Sequence, residues 1–450
     1  MPTKRGALPP PRSKFGFLRL FVNIFSNIGS GPAGLEGLIG SAGFSLAILA
    51  ICVFPLFVAV PQAFITLELT NRFHEFNGGL PVWLYRATKR KNLVFVATCF
   101  IVIFNCSTAA LVSESTVAYV NTVSSVFDAS WRKYLLSIGI VLFSYVVSLG
   151  SIDTVAAVFW GLSIQALVAF GVLIILCCFT LDFKRIDNPV TTAKSVHPSF
   201  LLDLLIFNSN GYDSGGGVVA FVRNPHTTVP RATLAAAVFS TVLYVAIFGT
   251  TYLGSRESAS AWKESQFSYV AREVGGPAIQ IWIVITCALI NAQMFVGALV
   301  SAVYTLHGAA SLGAFPSYWE AATEEGTPWR ALAFCTGLSI VLCALPFSWN
   351  LAFSAVFFSL VLLGQIACFA ALPSDGYAFL PRSRLCFVFV VVVPTIVAVL
   401  ALAVQPVSLL LASAALVGAI FIAAPWVVPE TMEQVATTKQ EQESMFRIKL

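Results

Sequence analysis

The residues in this 450-residue chain that could do chemistry gather at two interruptions of long apolar runs. The first is NIFSNIGSGPAGLEG, Asn23 to Gly37, where Gly29, Ser30, Gly31 and Pro32 precede Glu36. The second is FNSNGYDSGGGVV, Phe207 to Val219, where Asn208, Asn210, Gly211, Tyr212 and Asp213 break the run and three glycines follow. A broken helix frees N–H groups on one side and carbonyls on the other. The N-terminus of the second half carries partial positive charge. Gly29, Ser30 and Gly31 therefore suit a substrate carboxylate, and the carbonyls upstream suit an ammonium group. Glu36 and Asp213 add negative charge, which favours a cation. A third acid, Glu114, stands between Ser113 and Ser115, with Thr108 and Thr116 at helical spacing. A carboxyl in a low dielectric holds its proton more tightly than in water. That property suits a proton carrier, so Glu36, Glu114 and Asp213 are the coupling candidates. Two simpler roles compete: Glu36 as a carboxylate in water at the outer end of its span, and Asp213 as a cap on the half-helix after it. Glu68 and Asp203, nearer span ends, read as structural.

The elements that must position these groups are membrane helices. Hydrophobic residues make up 58% of the chain and charged residues 10%, and the mean hydropathy is +0.85. A soluble domain carries roughly 25% charged residues. Apolar stretches of the length a bilayer requires fall near 16–40, 43–70, 92–122, 133–151, 153–181, 199–222, 229–254, 277–307, 329–347, 350–372, 385–404 and 406–428. The fold class predicted is an all-α polytopic membrane protein of about twelve transmembrane helices. Lys4, Arg5, Arg12 and Lys14, with Arg72, Arg86, Lys89, Arg90 and Lys91, put more basic charge on one face than on the other. The positive-inside rule then places both termini in the cytosol. The net charge of +5 is accounted for by topology, and no nucleic-acid role is expected. No cleavable leader is expected, because no small-residue cleavage site follows a short apolar core.

Other chemistries find little support. The ten cysteines, Cys177 and Cys178 among them, fall in apolar spans and read as packing residues rather than disulfides or zinc ligands. His74, His197, His226 and His307 lie at span ends or in loops. Asn105-Cys106-Ser107 matches a glycosylation acceptor but sits inside a span. There is no HExxH, no Cys–His pairing and no carboxylate–histidine cluster, so no enzyme, metal or cofactor is expected. A channel needs a continuous polar lining, whereas polar residues here cluster at two breaks.

Those breaks occupy corresponding places, the first and sixth spans, if spans 1–5 and 6–10 are two halves. An odd number of spans per half inverts one relative to the other. Paired, Gly-interrupted spans in inverted halves point to a transporter site at the bilayer midplane. The competing reading is glycines that let membrane helices pack closely.

The residues also carry a family resemblance. SGPAGLEGLIGSAG is similar to the first-span GGPxGxE element of the polyamine–proton symporter branch of the amino acid–polyamine–organocation superfamily. VAVPQAFITLELTNRFHEFNGGLPVW resembles that branch's PEALxTAEL stretch and NGG turn. FNSNGYDSGGGVVAFVRNPHTTVPRA resembles its WNxNYWDS element and ENPxxTxPxA loop. NAQMFVGALVSAVYTLHGAASLGAFPSYW with GTPWRAL resembles its eighth span and the loop beyond. The matches keep their order across residues 20 to 340.

The resemblance implies a LeuT-like 5+5 inverted repeat with broken helices 1 and 6 plus two extra helices. It further implies proton-driven uptake, with substrate held between spans 1, 3, 6, 8 and 10. By motif, Gly29, Ser30, Gly31 and Glu36 carry over from the first span, and Phe207, Asn208, Asn210, Tyr212 and Asp213 from the sixth. Asn291 and Phe295 match as lining or packing residues of the eighth. Three departures bear on substrate. Ala298 lies where an acid is expected, Thr108 where a third-span aromatic is expected, and Phe207 where a tryptophan is expected. Fewer acids and rings make a cationic or neutral amino acid the alternative to a polyamine. The segments expected are a cytosolic basic arm at 1–15, a first repeat at 16–181, a second at 182–372, helices 11 and 12 at 373–428 and a cytosolic tail at 429–450. The last two helices, with Gln405 near their turn, are expected to act as scaffold or homodimer contact. The expected partners are a small-molecule amine or amino acid, protons and the lipid bilayer, with the plasma membrane as location. A nutrient sensor of the same fold would look the same.

Overall fold

The structure, a computed structural model, describes residues 15–28, 32–73, 79–127, 129–150, 152–186, 198–217, 219, 222–323, 326–371, 379 and 384–428. Gly29, Ser30, Gly31, His74, His197, most of the basic arm and the tail lie outside them. Among the described residues the chain is helical, with a single β-bridge between Phe15 and Val222.

The first span is two helices, α1 (Phe17–Ile28) and α2 (Gly37–Ala42). The second is α3 (Phe44–Phe57) and α4 (Ala59–Arg72), and a short α5 (Leu80–Thr88) follows. Next come α6 (Lys91–Asn121), α7 (Ser130–Ser148) and α8 (Ile152–Cys178). The sixth span is again divided, into α9 (Pro198–Asn208) and α10 (Ser214–Gly217). Then follow α11 (Pro225–Gly254), α12 (Gln266–Ser311), α13 (Trp329–Leu342), α14 (Phe347–Ala370), α15 (Arg384–Ala403) and α16 (Val407–Val427). Eight of these stretches are long and apolar enough to cross a bilayer, counting α3 with α4. Three shorter apolar helices, α1, α9 and α13, stand where the first, sixth and ninth spans are expected, and α7 where the fourth is.

Each interruption has a local cause. Phe17, Phe21 and Phe25 stack four residues apart along α1. The helix stops at Ile28, whose carbonyl would accept from position 32. Pro32 has no N–H to give. Tyr244 of α11 supplies the missing donor instead, its hydroxyl 3.3 Å from the Ile28 carbonyl. Pro61 likewise leaves the Phe57 carbonyl without its helical donor, and the chain departs from helix at Val58 (φ −120°, ψ −59°) between α3 and α4. The eighth span is longer than the predicted 277–307. Its extra length is a separate helical segment before Gly276 (φ 77°), which breaks the run ahead of Pro277. Helix α5 has no counterpart among the predicted spans. Nine residues are too few to cross, and Pro81 in its first turn starts it.

Burial grades the helices by role. The apolar stretch of α6 is 83% buried within the protein, against 17% for α16. Helix α6 runs through the centre, packed chiefly against α12 and α14. Close approach relies on small residues, as expected where lipid is as apolar as the core. At Gly254 a Cβ would lie 2.8 Å from the Cys177 backbone carbonyl, so only glycine fits there. The segment between α11 and α12 closes over α2. A Cβ on Gly40 would fall 1.9 Å from the Trp262 carbonyl. Helices α15 and α16 present Leu385, Ile422 and Trp426 outward, as lipid-facing helices do.

Candidate functional site

The two breaks meet. Gly211 of the sixth span has φ +96°, and a Cβ there would lie 2.4 Å from the Asn27 carbonyl carbon and oxygen at the end of α1. Only glycine permits both the angle and the approach. Downstream, the Ser214 hydroxyl donates to the Gly211 carbonyl at 2.6 Å and its N–H to the same oxygen at 3.1 Å, which restarts the helix.

A cavity of about 60 Å³ opens where the breaks touch. Its polar wall comes from Asn27, Asn105, Thr108, Asn210, Asp213 and Gln365. Its apolar wall includes three rings, Trp83, Phe104 and Phe358. Asp213 is the one carboxylate among the described lining residues, and no lysine, arginine or histidine joins it. Gln365 of α14 donates to the Asp213 carboxylate at 2.6 Å, and Gln62 of α4 donates to the Gln365 carbonyl oxygen at 3.1 Å. Thr108 and Ser354 share a hydrogen bond of 3.0 Å across α6 and α14. A carboxylate among aromatic faces, with no competing cation, suits an ammonium group. The volume holds only a few waters, so the walls must part before a larger molecule is admitted.

A second acidic group lies toward α2. Glu36 is fully buried. One of its oxygens accepts the Gly34 N–H at 2.8 Å, and the other accepts the Tyr119 hydroxyl of α6. Glu114 accepts from Asn350 at 3.1 Å. Glu264, in the segment before α12, lies near enough to interact electrostatically with both. Glu264 is outside the spans, and burial pushes its carboxyl up to about 7, with the Ser115 hydroxyl pulling the other way. Along α6, Glu114 stands six residues, about 9 Å, beyond Thr108. The molecule thus carries two acidic poles in line, one at the cavity and one beyond it.

The sequence-predicted residues divide accordingly. Thr108, Asn210 and Asp213 line the cavity. Glu36 and Glu114 form the second pole. Phe207, Asn208 and Tyr212 are buried in packing around the sixth-span break. Asn291 is buried in α12 outside the cavity lining, its amide atoms unpaired among the described residues. Gly29, Ser30 and Gly31 lie outside the described residues. Glu68 accepts the Phe379 N–H at 2.6 Å, and Asp203 accepts from Gln405 at 2.6 Å. Sequence reasoning missed Gln365, Trp83, Tyr119, Asn350 and Glu264. Gln365 carried a usable signal, a lone amide in an apolar span; Tyr119 carried none, because its significance depends on what it faces.

An amino acid permease family model matches residues 15–429. The chain belongs to the amino acid permease family. The permease is 27% identical over 350 residues to polyamine transporter PUT1 of Oryza sativa subsp. japonica, covering 76% of this chain and 64% of the rice protein. It is 28% identical over 340 residues to polyamine transporter RMV1 of Arabidopsis thaliana, covering 74% of this chain and 68% of that protein. The permease thus spans about two thirds of the length of the curated relatives it matches. It is a multi-pass integral membrane protein.

Proposed function

We propose that the permease is a secondary active transporter that takes up polyamines with protons by alternating access. The observation that carries this reading is the cavity at the meeting of two broken helices, its described lining holding Asp213 and three rings and no basic residue. Asp213 holds an ammonium group. Glu114 and Glu264 of the second pole attract further ammonium groups of the polyamine, and the buried Glu36 or the half-buried Glu114 carries the coupling proton. A separation of about 9 Å between Thr108 and Glu114 suits a molecule with cationic groups at both ends. The polyamine transporters among its relatives support the substrate class.

A cationic amino acid is the second reading, favoured by the single carboxylate in the cavity wall. The protein is placed in the plasma membrane with residues 1–15 and 429–450 in the cytosol. Residues 16–181 and 182–372 form the two halves and 373–428 the accessory pair. The segment around Glu264 then faces outward and the Arg72 end of α4 faces the cytosol. A homodimer would use the outward faces of α15 and α16.

The test is uptake of labelled putrescine, spermidine and the standard amino acids in a transport-deficient cell at two external pH values. Saturable putrescine or spermidine uptake, greater at the lower pH, is expected. Uptake of amino acids alone overturns the polyamine assignment. Absence of all uptake and exchange, in protein shown to reach the membrane, favours a sensor.

A further inference from the structure

One face of α4 carries polar side chains that the substrate cavity does not use. Gln62, Thr66 and Thr70 stand four residues apart, so they form a single stripe. All three are at most 2% exposed. The Gln62 carbonyl oxygen and both threonine hydroxyls have no hydrogen-bond partner among the described residues. Several buried threonines elsewhere in the spans return their hydroxyls to the carbonyl one turn back, although Thr233 of α11 does not. Thr98, Thr116, Thr286 and Thr336 do so at 2.7 to 2.9 Å. Thr66 and Thr70 decline the same bond.

An unpaired buried polar atom is costly, and two hydroxyls and an amide oxygen on one stripe need a common explanation. Buried polar groups left without protein partners are commonly met by buried water where there is room for it. The upper end of the stripe is tied to the cavity, because Gln62 donates to Gln365 and Gln365 donates to Asp213. The lower end lies beside Gly216, where a Cβ would come 3.4 Å from the Thr70 hydroxyl and 2.7 Å from the Trp83 ring, so the backbone there packs directly on Trp83. From Gln62 to Thr70 the helix rises about 12 Å, close to half the thickness of a hydrocarbon core. Glu68, two residues from each threonine, points away and binds the Phe379 N–H.

We propose that this face of α4 is a water file, opening at the Arg72 end, that hydrates the Asp213–Gln365 pair and so releases the bound ammonium group. The attraction between a carboxylate and an ammonium is several-fold weaker in water than at a drier site. Water delivered along α4 weakens the hold on the substrate from one side of the membrane only. The inference rests on Asp213 being the ammonium-binding carboxylate and on the Arg72 end facing the cytosol.

The test uses the full-length chain in proteoliposomes of known orientation. Thr66→Cys and Thr70→Cys are exposed to a membrane-impermeant methanethiosulfonate reagent from either side. Modification at each position is read by peptide mass spectrometry, so the native cysteines remain. Labelling at least tenfold faster from the Arg72 side is expected, with Thr98→Cys protected from both. The paired substitution Thr66→Val with Thr70→Val should slow putrescine counterflow about tenfold with the outer-side half-saturation changed less than twofold. Thr66→Ser with Thr70→Ser should restore the rate. Absence of labelling from the Arg72 side, equal labelling from both sides, wild-type counterflow in the valine pair, or a serine pair as slow as the valine pair overturns the proposal. Sided labelling with no counterflow of putrescine or any amino acid by the wild-type chain overturns the release role and the transport reading, while the file itself stands.

Discussion

The two helix breaks use similar residues and end differently. At the first, Glu36 folds back on its own turn, held by the Gly34 N–H and the Tyr119 hydroxyl, with no access from the cavity. At the sixth, Asp213 accepts one bond from Gln365 and keeps a face on the cavity. Both acids stand at glycine-containing interruptions, Glu36 buried and Asp213 half-buried. The difference is made by partners far along the chain, at positions 119 and 365. A sealed acid suits a proton, which is small and arrives through hydrogen bonds. An open acid beside rings suits an ammonium group. On the proposed reading, equivalent breaks take unequal tasks.

Gly211→Ala should have the largest effect, because it attacks the point where the breaks touch. The positive φ alone costs about 1–3 kcal/mol, and the added Cβ overlaps the Asn27 backbone. Uptake should vanish, and the thermal midpoint of the purified protein should fall measurably by size-exclusion chromatography after heating. A variant with the wild-type midpoint and full uptake would show that the contact is dispensable.

Asp213→Asn sharpens the comparison from the open side. Removing the carboxylate should cost about a hundredfold in substrate affinity, equivalent to about 2.8 kcal/mol, with the thermal midpoint kept. Binding measured by scintillation proximity with labelled putrescine checks it. Glu36→Gln probes the sealed side and should act on a different quantity. Gradient-driven uptake should fall about tenfold and lose its dependence on external pH, while counterflow persists. If the two variants fail in the same assay to the same degree, the division of labour between the breaks is wrong.

The smallest effect expected is on stability against pH. Burial holds the Glu264 carboxyl at about 7, above the ordinary 4.5. The folded chain therefore binds this proton more tightly than the unfolded one. Its contribution is fully present below pH 4.5 and is lost as pH rises through 7. Thermal midpoints recorded between pH 5 and pH 8 should fall with rising pH, and Glu264→Gln should flatten that slope. An unchanged slope would remove Glu264 from the outer pole.

Legibility followed the range of each interaction. The breaks were readable because Gly29 to Pro32 and Gly211 act on their own backbone, and composition exposed the spans because the solvent is lipid. Asp213 and Thr108 were reachable as polar residues in apolar runs. What could not be read is which acid is shut in. That depends on Tyr119 and Gln365 arriving from other helices; Gln365 stands out as an amide in an apolar span, but neither position says which acid it meets. The extended eighth helix escaped for a related reason: Gln266 to Gly275 is polar enough to resemble a loop, and Phe267, Val270 and Ala271 are helical and buried there by packing.

The contact of Gly211 with Asn27 has a mechanical consequence. Backbone presses on backbone there, with no side chain between to swing aside or take up slack. Any tilt of the first broken helix must therefore press at once on the break in the sixth span.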